Sequence, residues 1–117
     1  MSINMNSRAI NFTVKVGARS TLQLSIKNND GTAKDLSNDT TYSTGKWKVW
    51  KPNGTLLING TIVFSTRATG IVSYTLVAAD TVIGNAGVWE GEVEIKDTSG
   101  VISEQTQSFN FSIEESY

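Results

Sequence analysis

The sequence predicts an all-β domain, an immunoglobulin-like antiparallel β-sandwich of seven or eight short strands. Three observations carry this expectation. Apolar residues recur at every second position in short runs, the period of a half-buried strand. Turn signals rich in Gly, Asn and Asp separate the runs. Ser, Thr and Asn make up 37 of the 117 residues, a composition that favours strands and turns over helices. A small closed barrel uses the same pattern and is the competing architecture. A chain of this length suits one domain. Residues 1–9 are assigned to an N-terminal arm, 10–113 to the sandwich and 114–117 to a polar tail.

The first strand puts Ile10, Phe12, Val14 and Val16 on one face, and Gly17 closes it. Leu22, Leu24 and Ile26 alternate next, and Asn28-Asn29-Asp30-Gly31 turns the chain, because these residues tolerate positive φ. Residues 32–45 are polar and irregular, with Leu36 and Tyr42 as anchors. Trp47 and Val49 then alternate with Lys46, Lys48 and Trp50. Lys51-Pro52-Asn53-Gly54 is a hairpin turn, since proline presets φ and Asn-Gly supplies the bend. Leu56–Ile58 and Ile62–Phe64 follow as strand segments, with Asn59-Gly60 expected to interrupt them. Gly70 opens a strand with Val72, Tyr74 and Leu76 on one face. The one helical fragment is Ala78–Ile83, ended by Gly84-Asn85-Ala86-Gly87. Trp89, Gly91, Val93 and Ile95 alternate with Glu90, Glu92 and Glu94. After the turn Asp97-Thr98-Ser99-Gly100, Phe109, Phe111 and Ile113 form the last strand.

Composition removes several classes of chemistry. There is no Cys and no His, which excludes disulfides, Cys/His metal sites, cysteine nucleophiles and Ser-His-Asp triads. The net charge of −1 gives no electrostatic reason to bind nucleic acid or membrane. The first residues lack the apolar core of a secretory signal, and no run approaches the roughly 20 apolar residues of a membrane span. Synthesis and folding in a cytoplasm are therefore expected. Five Asn-x-Ser/Thr triplets read as chance in so Asn- and Thr-rich a chain. Gly-rich phosphate motifs are absent. Lys15, Arg19, Lys27 and Lys34 form no dense patch with aromatic platforms. Asn28–Gly31 and Asp97–Gly100 lack the acidic spacing of calcium loops.

Four features remain. Glu90, Glu92 and Glu94 share one strand face, about 7 Å apart in succession. Acid–base or cation chemistry would need a cleft, so a solvated Lys–Glu ladder fits better. The expected register is Lys46–Glu92, Lys48–Glu90 and Trp50–Val88, with Trp47 opposite Gly91 and Val49 opposite Trp89. Parity turns Trp50 outward beside Val88, an apolar spot suited to an interface unless the Pro52 turn covers it. Finally, Ile3 and Met5 stand two apart in an otherwise polar arm, which could add to a neighbouring subunit's edge.

The layout resembles the N-terminal domain family of the upper baseplate protein (BppU) of phages infecting Gram-positive bacteria. The resemblance is carried by Ile10–Val16, Asp35-Leu36-Ser37, Trp47–Gly54, Ala68–Leu76, Ala86–Ile95 and Ser108–Ile113, nearly the whole chain. It implies an immunoglobulin-like sandwich in a phage virion that attaches receptor-binding machinery to the tail in oligomeric assemblies. The family offers no catalytic residues to carry over. Its N-terminal domain usually continues into a helical section, whereas this chain stops after the last strand, as an excised domain or a free-standing protein would. The expectation is a non-enzymatic baseplate or tail adaptor located in the virion. It would contact other virion proteins and copies of itself through Trp50, Val88, Ile3 and Met5, with no cofactor, metal, nucleic acid or membrane. A head-decoration or neck protein of the same fold, or a carbohydrate-binding adhesin module, is the alternative. A hydrolase built on Glu90 and Glu92 is the weakest reading.

Overall fold

Apolar alternation drives nine strands into two facing sheets in the computed structural model, which describes residues 11–106 and 108–115. The larger sheet has the order β1 (Asn11–Lys15), β9 (Phe109–Glu114), β7 (Gly87–Lys96), β3 (Thr44–Trp50) and β4 (Leu56–Thr61). A further strand, β8 (Ile102–Gln105), pairs with the distal part of β7. The smaller sheet has the order β2 (Thr21–Ser25), β6 (Ile71–Thr75) and β5 (Val63–Thr66). The fold class is the expected one, a β-sandwich, with one parallel pair: β1 lies parallel to β9 with Phe12 level with Phe111 and Val14 with Ile113.

The core collects the inward parity of each strand. Trp47 is fully buried at its centre. Its ring lies 5.1 Å from Phe12, 5.0 Å from Phe109 and 6.1 Å from Tyr74, centroid to centroid. Offset and edge-on ring pairs of this kind add about 0.5–1.5 kcal/mol beyond their area burial. The Trp47 indole N–H finds no hydrogen-bond partner among the described residues. Leu24, Ile26, Val72, Leu76, Val93, Ile95 and Phe111 complete the layer between the sheets.

Strand count, breaks and register differ from expectation. The extra strand is β8, four residues with little alternation, joined to β9 through Thr106. That residue's N–H donates to the Val93 carbonyl (3.0 Å), and its hydroxyl accepts the Val93 N–H (2.9 Å). Asn59 and Gly60 do not interrupt the chain; both lie inside β4, and the crossing between sheets comes at Ile62. Gly60 is there because the Tyr74 ring occupies the space a Cβ would fill. The helical fragment is two 3₁₀ turns, Ala78–Thr81 and Ile83–Asn85, split by the extended backbone of Val82. The first turn is held by the buried Asp80, whose Oδ2 accepts the Val77 N–H (2.9 Å) and the Tyr74 hydroxyl (2.7 Å).

The β3–β7 register is two residues away from the expected one. Lys46 pairs with Glu94, Lys48 with Glu92, Trp50 with Glu90, Trp47 with Val93 and Val49 with Gly91. A shift of two preserves parity, so every residue keeps its face. The glycine opposite Trp47 is Gly60 of β4 rather than Gly91. The space at Gly91 is taken instead by the Phe109 ring and the Lys48 carbonyl.

The irregular stretch 32–45 is fastened as expected at Leu36, which is fully buried, and at Tyr42, which is half-buried. Arg67 does the fastening. Its Nη1 donates to the carbonyls of Leu36 (3.1 Å) and Tyr42 (2.7 Å), and the guanidinium lies 3.9 Å from the Phe64 ring centroid.

Candidate functional site

Register aligns a row of outward side chains across the larger sheet. Trp50 of β3 pairs with Glu90 of β7, Glu90 with Asn110 of β9, and Asn110 with Asn11 of β1. At the end of this row lies the turn of the β3–β4 hairpin. It is closed by the Gly54 N–H donating to the Lys51 carbonyl (2.9 Å) and the Lys51 N–H donating to the Thr55 carbonyl (2.9 Å). Gly54 sits at φ 87°, a backbone conformation that costs glycine nothing and other residues about 1 kcal/mol or more. Between the hairpin and the start of β7 lies a groove of about 420 Å³.

Trp50, Pro52, Val88 and Trp89 are the apolar residues that line the groove. Val88 is 66% exposed and Trp50 is half-buried. Trp89 is held rigid, its Nε1 donating to the Asn85 carbonyl (2.8 Å), while the Lys51 ammonium sits 5.7 Å from its ring centroid. Asn110 is oriented by donating through Nδ2 to Asn11 Oδ1 (2.9 Å). Glu90 is exposed and its carboxylate has no hydrogen-bond or ionic partner among the described residues.

The three glutamates are not one solvated ladder. Glu94 is only 8% exposed, and its carboxylate meets Lys48 at 3.2 Å and Lys96 at 3.9 Å. Glu92 accepts a hydrogen bond from Gln105 Nε2 (2.8 Å) on β8. Glu90 alone faces the groove. The diagonal reach of Lys48 to Glu94, rather than to its register partner Glu92, separates these roles. Among the described residues no group of three acidic side chains is placed to hold a metal ion, and no helix is long and apolar enough to cross a membrane.

A second cavity of about 330 Å³ lies beside Lys27, Asn28 and Gln105. It is spanned by the Lys34–Glu104 ion pair at 2.8 Å, and the Lys34 ammonium also faces the Tyr42 ring. The hydrogen bond to Glu104 holds the Lys34 pKa above its ordinary value. This pair ties the 32–45 segment to β8.

Trp50 and Val88 thus line one groove, although the strand partner of Trp50 is Glu90 and not the expected Val88. Ile3 and Met5, and with them the arm, lie outside the described residues. Trp89, Lys51 and Asn110 escaped the sequence reading. Parity assigns Trp89 to the core, and only its position at the sheet's end leaves it half-exposed. The Pro52-Asn53-Gly54 turn was the available signal, since a tight turn at the end of an outward Trp builds a wall beside it.

No protein-family model matches the chain, and no curated protein sequence matches it. Solved structures do. The N-terminal domain of phage TP901-1 ORF48 superposes with a TM-score of 0.72 over 97% of this chain and 93% of that one, at 12% identity. CopC from Methylosinus trichosporium OB3b superposes with a TM-score of 0.55 over 100% of this chain and 97% of that one, at 8% identity. At such identities the likeness is one of fold. ORF48 is the BppU protein, so the likeness agrees with the family that the strand-and-turn pattern resembles.

Proposed function

We propose that this domain is a structural module of a phage virion, a baseplate or tail adaptor that joins other virion proteins by surface contact. The observation that supports it is the likeness in fold to the ORF48 N-terminal domain along almost the full length of both chains. A virion adaptor needs no catalytic group, cofactor or metal. It needs a rigid scaffold and an adhesive patch, and the Trp50–Val88 groove supplies the patch. Trp50 offers a large ring that is already partly immobilised, so burying it against a partner costs little rotamer entropy. Val88 adds an aliphatic surface that folding leaves in water. Each side chain fully buried in this way contributes about 1.5–3 kcal/mol. Glu90 and Lys51 on the rim would set the orientation of the partner.

Immunogold labelling of particles of the phage that encodes the chain tests this reading. Label at the distal end of the tail is the expected result. Label on the capsid would place the domain in head decoration, and particles without label would overturn the virion assignment.

A further inference from the structure

We propose that the groove receives the N-terminal segment of a second copy of this chain, residues 1–10, so that two copies exchange arms reciprocally. The proposal rests on the contact reading above and names the partner of that site. Its first support is chemical complementarity. The groove offers aromatic and aliphatic walls at Trp50, Pro52 and Val88, and one exposed carboxylate, Glu90, that no described residue neutralises. Residues 1–10 contain Ile3 and Met5 two apart, then Arg8, and no acidic residue. Side chains two apart project from the same side of an extended segment. A methionine adapts readily to aromatic faces. Arg8 supplies the cation that Glu90 lacks, whereas Lys51 is already placed over Trp89.

The second support is where the arm is rooted. The described chain begins at Asn11, whose Oδ1 accepts the hydrogen bond from Asn110, and Asn110 lines the groove. Ten residues can span up to about 33 Å, enough to leave one domain and enter another. Root and groove share one face of one sheet, so two copies apposed on that face can each insert an arm into the other. This is the self-complementary geometry of a closed twofold dimer.

A charge-reversal cycle in the full chain tests the exchange, read as molar mass by size-exclusion chromatography with light scattering over a dilution series. Arg8→Glu and Glu90→Arg should each weaken self-association about tenfold or more, and the double variant should recover it. A fluorescent peptide of residues 1–10 should bind the full chain carrying Ile3→Asp and Met5→Asp, and lose binding when Trp50→Ala is added. The proposal is overturned if the wild-type chain stays a monomer across the dilution series, whether or not it binds the peptide, since a monomer that binds it would dock the arm on its own groove. It is equally overturned if the single variants associate as wild type, or if the double variant does not recover. Gold-labelled particles combined with unaffected single variants would sink the arm exchange alone. Unlabelled particles would remove the contact reading on which it rests.

Discussion

Trp50 and Tyr74 show how differently an aromatic residue can be used in one small sandwich. Trp50 stands half-buried at the end of β3, where it lines the groove. Trp50→Ala is expected to cost only about 1–2 kcal/mol of folding stability. If the groove is the contact, the same change should weaken partner binding by about 2 kcal/mol or more, as central aromatic anchors do. Denaturant titration and binding measured on one preparation separate the two effects. Tyr74 is buried and donates its hydroxyl to Asp80 at 2.7 Å. Burial, then the hydrogen bond and charge of Asp80, push its phenol well above the ordinary value of 10.0. The folded protein therefore keeps this proton at a pH where the unfolded chain has released it. The unfolded state then binds fewer protons, so stability falls as pH climbs above 10.0. Tyr74→Phe should flatten that alkaline slope in a series of urea titrations. Asp80→Ala should be costlier near neutrality, about 1–3 kcal/mol, because it leaves the buried Tyr74 hydroxyl and the Val77 N–H without their acceptor.

Among the elements, the β3–β4 hairpin and the 32–45 segment decide the shape of the surface. Gly60 of β4 exists to admit the Tyr74 ring, so Gly60→Ala is expected to overpack the core and cost about 1–3 kcal/mol. A fall in Tm of several degrees by calorimetry would check it. Arg67→Ala removes the charged donor that holds the Leu36 and Tyr42 carbonyls. A loss of about 2 kcal/mol is expected, with faster amide exchange at Tyr42, whose N–H donates to the Asn38 carbonyl. Much of this layer was legible in the sequence. Alternation told which face each of Trp47, Val49 and Trp50 would take, and Leu36 and Tyr42 stood out in the irregular segment. The β3–β7 register was not legible, because a slip of two residues leaves every parity intact. Asn59-Gly60 reads as a turn, since a glycine needed for close approach carries the same signature as one needed for a bend. Strand β8 was invisible, because Ile102–Gln105 has little apolar alternation and pairs only with the distal end of β7. The grip of Arg67 links residues 25 and 31 positions apart, a separation at which local pattern carries no information.

At the scale of the whole molecule, the sequence reaches a scaffold whose ionisable groups are carboxylates, amines, guanidiniums and phenols, and the fold spends many of these on holding itself together. Lys34–Glu104, Lys48–Glu94 and Arg67 all act between elements of the domain. At one end of the larger sheet, Trp50, Val88, Glu90 and Lys51 line a single groove. That grouping could not be read from composition, since it depends on the β3–β7 register and on the hairpin turn lying beside the start of β7. It is also where the central claim of a contact domain is most exposed to test. Cross-linking mass spectrometry on intact particles, using an amine-reactive reagent, samples Lys51 on the groove rim. The account predicts cross-links from Lys51 to a second virion polypeptide, and their loss in particles carrying Trp50→Ala. Intact particles that contain the chain, yet give Lys51 links only to lysines of its own domain, would contradict it.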